Sequence, residues 1–195
     1  MASIINASTS GVGGVITTAD NTGDLNIQSG GSTKLAVTSA GVTVTGLSKA
    51  SLPTGSVLQV VRSSITSQVT TASSTYSALG LSATIVPISA TSKLYIFVNL
   101  AACGKLTGDT ALGVKLLKNA STLVQQIDET AARTGSSGTS IVGSVAGIAE
   151  ETSGSTSSRT YDVYINSYTN GTTVYVGNVL GNQATSSLLI MEIAA

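Results

Sequence analysis

The chain has 195 residues, nine Lys and Arg against nine Asp and Glu, no histidine, and a charged share of only 9% beside 42% apolar residues. That balance excludes a charge-solvated disordered tail and offers no basic field to draw a nucleic-acid backbone. The 30 Ser, 28 Thr and 21 Gly disfavour helix, because hydroxyl side chains compete for backbone hydrogen bonds, and suit strands and turns.

Residues 1–22 are small, polar and glycine-rich, with one apolar patch at Val15-Ile16, and read as an extended N-terminal arm ordered where it docks. No basic segment followed by an apolar run opens the chain, so no Sec signal is expected. No apolar run reaches the roughly 20 residues a bilayer span requires, so no membrane partner is expected. Synthesis in a cytoplasm is the simplest reading. Gly11-Val12-Gly13-Gly14 has no strand-to-helix context and no following Gly-Lys-Ser/Thr, so it is not read as a phosphate loop.

Residues 23–55 form a short β-ribbon or stem and a linker. In GDLNIQSGGSTKLAVTSAGVTVTG, Leu25 and Ile27, Leu35 and Val37, and Val42 and Val44 alternate with polar residues. Turn residues separate the three pairs, as Ser29-Gly30-Gly31 and Ser39-Ala40-Gly41. Each strand has room for two inward apolar side chains, too few for a self-sufficient core. The six-residue stripe is therefore expected to contact other copies of the chain or a shell. Pro53 and Gly55 in SLPTGS mark the linker.

Residues 56–195 carry heavier strands. SVLQVV (56–61) opens the domain. In KLYIFVNLAAC (93–103), Leu94, Ile96, Val98 and Leu100 make one apolar face, while Tyr95 and Phe97 make the other partly apolar. This strand is expected to be central and covered on both sides. LGVKLL (112–117) turns at Lys118-Asn119-Ala120-Ser121 into TLVQQI (122–127). A polar loop (129–140) precedes IVGSVAGIA (141–149), where Gly143 and Gly147 are candidates for a bulge or a close approach. After a second polar loop (150–159), TYDVYINSY and TTVYVGNV flank Asn170-Gly171, the strongest hairpin signal in the chain. SSLLIMEIA (186–194) ends it, with nothing expected beyond. Eight or more strands and no convincing helix predict an all-β fold, an antiparallel jelly-roll-like β-sandwich preceded by the extended arm and short ribbon.

Chemistry is sparse. Without histidine the chain lacks the commonest general acid–base and metal ligand, and one cysteine cannot complete a zinc site. Cys103 could serve as a nucleophile or as a buried structural thiol; its place at the end of an apolar strand favours the second. Asp128-Glu129 and Glu150-Glu151 are adjacent carboxylates at loop mouths. Neighbours on a strand point to opposite faces, which argues against a paired-carboxylate hydrolase. No D-x-D-x-D-G loop supports calcium. No catalytic residue, cofactor-binding residue or metal ligand is assigned, and no enzyme activity is expected. Tyr161, Tyr164, Tyr168 and Tyr175 cluster late in the chain. They could stack on sugars or anchor a partner, or they could fill the interior or a subunit seam.

GSVLQVV (55–61), SKLYIFVNL (92–100), GVKLLKN (113–119), TVYVGNV (173–179) and SLLIMEIA (187–194) together resemble the β-sandwich modules of tailed-phage virion proteins, especially those of aquatic and cyanobacterial phages. The ribbon is similar to repeats that precede such modules in phage fibres. The resemblance implies a homotrimeric virion protein without catalytic residues. It would be either a cement (decoration) protein bound to the major capsid protein on the capsid exterior, or a short tail fibre or receptor-binding tip that contacts tail proteins and host surface glycan. Only about 50 residues precede the sandwich, which suits an arm lying on a shell better than a reaching fibre. A cellular adhesin or carbohydrate-binding module is the third class, disfavoured by the missing export signal.

Overall fold

The structure is a computed structural model that describes residues 25–46, 48–49, 52–133, 135, 138–177 and 184–195. The expected arm, residues 1–22, lies outside the described residues, as do Thr134, Ser136 and Ser137 of the first polar loop and Asn178 and Val179 of the late strand candidate. Every regular element among the described residues is a strand, and every pairing is antiparallel. The chain divides into two compact units, residues 1–48 and 49–195.

The first unit contains a three-stranded meander of β1 (Leu25–Ser29), β2 (Ser32–Thr38) and β3 (Gly41–Val44). Its first turn is Gly30-Gly31, both at positive φ (59° and 73°), the backbone twist that a two-residue hairpin loop requires. At the second turn the Thr38 hydroxyl accepts a hydrogen bond from the Ala40 amide at 3.2 Å, a local side-chain brace on the reversal.

In the second unit, one sheet runs β4 (Val57–Ile65), β13 (Ser186–Ile193), β7 (Lys93–Lys105), β12 (Val174–Val176), β5 (Val69–Thr71), with β10 (Ser140–Thr152) also paired to β7. The other runs β6 (Ser77–Ile85), β11 (Arg159–Ser167), β8 (Leu112–Lys118), β9 (Thr122–Ala131). Their facing sides share one core. Leu94, Ile96, Val98, Leu188 and Ile190 from the larger sheet meet Leu81, Ile85, Val114, Leu116, Val163 and Ile165 from the smaller. Period-2 alternation produces this: β6 and β11 bury every second residue along their length.

Two local expectations change and one turn forms as expected. Asn170-Gly171 does not join a hairpin. The Thr172 amide bonds the Thr169 carbonyl at 3.2 Å and Gly171 has φ 84°, so the turn itself forms. However, β11 already has β6 and β8 on its two edges, and the turn therefore carries the chain into the other sheet, where β12 pairs with β5 and β7. The turn expected at Lys118-Asn119-Ala120-Ser121 does close a tight hairpin, β8–β9, with Asn119 and Ala120 both at positive φ (51° and 57°). Finally, β7 is central, flanked by β13 and β10, but it is covered on one side only: Tyr95 and Phe97 stay half-exposed on its outer face.

Both singled-out glycines of β10 serve as read. Gly143 (φ 114°) sits where the register to β7 shifts, a bulge. Gly147 lies under Ile127 of β9: a Cβ there would come within 2.8 Å of Ile127 Cγ2.

Candidate assembly surface

The registers of β1, β2 and β3 place the six stripe residues in two rows across the ribbon. Leu25 pairs with Val37 and Val37 with Val42; Ile27 pairs with Leu35 and Leu35 with Val44. Side chains alternate across a strand, so all six stand on one face. Among the described residues that face is open: Leu25 is 59% and Val42 65% exposed, Ile27, Val37 and Val44 are also exposed, and Leu35 is half-buried. Complete burial of a Val, Leu or Ile side chain contributes about 1.5–3 kcal/mol. Six partly covered side chains thus leave on the order of 5 kcal/mol of burial unrealised within one chain.

The tyrosines separate by environment. Tyr161 and Tyr175 are fully buried, which removes them from the set of candidate glycan or partner contacts. Tyr161 points inward from β11 and its hydroxyl donates to Glu151 Oε2 at 2.6 Å; burial, reinforced by that carboxylate, raises its pKa. Burial also raises that of Tyr175. Tyr161 falls on the inward side of the β11 alternation, a phase that could be read only with the strand bounds known, whereas β12 buries all three of its residues and Tyr175 lies on the side opposite the core residues Val174 and Val176. Tyr164 stands half-buried on the opposite side of β11, beside Lys115 of β8. Tyr168 is 60% exposed, with the Arg133 guanidinium 5.7 Å from its ring centroid and Arg133 Nε 3.5 Å from Asp109 Oδ1. Sequence reading did not single out Arg133 or Asp109, because two separate loops bring them to Tyr168.

A shallow polar depression of about 280 Å³ lies beside the 150–159 loop, lined by Lys118, Asn119, Arg159 and several serines. Arg159 is buried, and its guanidinium is taken up by the Ser155 carbonyl (2.9 Å), the Ser155 hydroxyl (3.0 Å) and the Ser153 carbonyl. Lys118 Nζ reaches Glu151 Oε1 at 2.6 Å. These groups hold the loop shape. The adjacent carboxylates diverge accordingly: Glu151 turns to Lys118 and Tyr161, whereas Glu150 pairs with Lys93 at 3.1 Å. Cys103 is buried and burial pushes its thiol up to about 11, an unreactive setting at neutral pH. Among the described residues no three Cys, Asp or Glu side chains gather as metal ligands would.

One buried carboxylate fixes the architecture around it. Glu192 of β13 is fully buried between Gln59 of β4 and the 88–92 segment. Burial alone would raise its pKa. Four donors reverse that and hold it below the usual carboxylate range: Ser92 Oγ (2.6 Å), Gln59 Nε2 (2.6 Å) and the amides of Ile88 (2.8 Å) and Ser89 (3.2 Å). Alternation along β13 sets Glu192 on the same side as Leu188 and Ile190, while its partners come from segments far away in the chain.

No protein-family model matches the chain, and comparison with curated proteins gives no significant match.

Proposed function

We propose that the chain is a structural protein of a tailed-phage virion, a homotrimeric capsid cement protein that binds the major capsid protein and reinforces the capsid exterior. In this reading the second unit is a jelly-roll-like β-sandwich forming an exterior knob, and the ribbon grips the shell and neighbouring copies. The open two-row apolar face of the ribbon carries the proposal. A three-stranded sheet with one uncovered apolar side gains most of its stability from whatever covers it. The near absence of charge supports the same reading, since a chain with zero net charge is poorly guarded against association. The mechanism is adhesive: apolar and backbone contacts repeated by symmetry resist the outward pressure of packaged DNA. Quantitative mass spectrometry of purified particles tests it. Amounts comparable with the major capsid protein are expected, and a few trimers per particle would overturn it.

The exposed Tyr168 with Arg133 beside it favours a second reading, a short tail fibre or receptor-binding tip that recognises host surface glycan. An aromatic face on a loop-bearing sheet end suits sugar stacking. That reading predicts low copy number and host-glycan binding lost in Tyr168→Ala.

A further inference from the structure

The larger sheet of the second unit has an outer face that no described strand of that unit covers, and its pattern is legible residue by residue. Across β4, β13, β7 and β10 one row reads Arg62, Leu189, Phe97, Ile148. The next row reads Val60, Met191, Tyr95, Glu150. The opposite side of the same strands holds the core, with Leu188, Ile190, Ile96, Val98 and Ala149. On the outer side Ile148 is 61% and Val60 51% exposed, and Leu189, Met191, Tyr95 and Phe97 are half-buried. We infer that this face is the seam through which copies of this chain pack on one another, an inference that rests on the assembly reading above and assigns its surface.

Three observations point to a second copy as the occupant. The first is size. Four strands about 4.8 Å apart and some five residues at about 3.4 Å each give an apolar patch of roughly 300–400 Å². A stable interface takes about 800 Å² per partner, with an apolar centre and a polar rim. The patch supplies that centre, and Ser64, Ser187 and Asn99 in the row beyond supply rim. The second is charge. Arg62 stands on the β4 margin with no ion pair among the described residues, and Glu150 stands on the β10 margin. Glu150 already holds Lys93 at 3.1 Å and a hydrogen bond from Tyr95, but a carboxylate has further acceptor sites.

The third is symmetry. A rotation axis running along the strands preserves height and brings the β4 margin of one copy against the β10 margin of the next. Arg62 and Ile148 share a row, and Glu150 lies two residues further along β10, about 7 Å away and within the reach of an arginine side chain. The face is therefore complementary to itself, with its apolar rows closing on one another and its opposite charges meeting at the edges. A foreign partner would need to reproduce both.

Sedimentation velocity on the full chain tests the seam with three surface variants. Ile148→Arg changes a side chain exposed in the single chain, Arg62→Glu reverses the lone margin charge, and Ser82→Arg is the control on the other sheet. The wild type is expected to sediment as an oligomer. Ile148→Arg and Arg62→Glu should raise the dissociation constant at least tenfold with unchanged far-UV dichroism, while Ser82→Arg leaves it unaltered. An oligomer that both seam variants leave intact, or that Ser82→Arg disrupts equally, overturns the seam while the assembly reading stands. A monomeric wild type overturns both. Particle copy number, measured separately, reports on the cement reading alone.

Discussion

Glu192 shows how a single residue can set the acid limit of a fold. Its carboxylate is fully buried and bound by Ser92, Gln59, Ile88 and Ser89, which lower its pKa in the folded chain. A group whose pKa is lower folded than unfolded stabilises the fold above its unfolded value and loses that stabilisation as pH falls through the folded one. Melting temperature should therefore drop as pH is taken below the ordinary carboxylate range. Glu192→Gln should flatten that part of the profile and cost about 2–3 kcal/mol at neutral pH, because hydrogen bonds to a charged acceptor are lost. Thermal melts of both proteins between pH 7 and acid decide it. At Gly147 the constraint is space. Gly147→Ala drives a methyl into Ile127, a β-branched side chain with little rotamer freedom, and should destabilise by about 1–3 kcal/mol. Ile127→Ala in the same chain should recover part of that loss, a coupling that a denaturant double-mutant cycle reads directly.

Among the elements, the two asparagine turns mark what local sequence can and cannot specify. Asn170-Gly171 and Asn119-Ala120 both make turns, and by dipeptide preference the first is the better hairpin. The structure reverses the roles because hairpin formation also needs a free strand edge. β11 has none left, with β6 on one side and β8 on the other. Ala120, at φ 57°, holds a left-handed conformation that a Cβ disfavours by about 1 kcal/mol. Ala120→Gly should accordingly stabilise the second unit by up to ~1 kcal/mol, seen as a raised melting temperature. β6 was legible and not singled out: Leu79, Leu81, Ala83 and Ile85 alternate without a break. β5 has only three residues and gains its order from β12, so it had no period to display. The ribbon stripe was legible in full, because its turns fix the register and the register fixes the face. On the cement reading, Leu25→Asp with Val42→Asp should leave melting of residues 49–195 unchanged and reduce binding to capsids at least tenfold in a co-sedimentation assay.

For the whole molecule, composition determined the class of structure, and strand order lay beyond it. A neutral chain rich in Ser, Thr and Gly with short alternating apolar runs reaches antiparallel sheets by elimination. Which strand lies beside which depends on contacts between segments far apart in the chain, and no local pattern encodes them. The two open apolar faces were unequally legible for the same reason. The ribbon's face follows from neighbouring segments, whereas the outer face of the larger sheet joins β4, β7, β10 and β13 and exists only once they are aligned.

The place of β13 has a consequence in time. It lies between β4 and β7, filling the gap between a strand at residues 57–65 and one at 93–105 with residues 186–193. On the ribosome, β4 is made early and has no hydrogen-bonding neighbour in its sheet until more than a hundred further residues have emerged. Closing so long a loop is slow, and the waiting strand is an open edge. Nascent chains arrested before residue 186 should show β4 amides unprotected in hydrogen exchange, and release past residue 193 should protect them together with β13. β13 thus acts as a latch: until it arrives the larger sheet is incomplete, and the outer face that joins β4 to β7 is not yet formed.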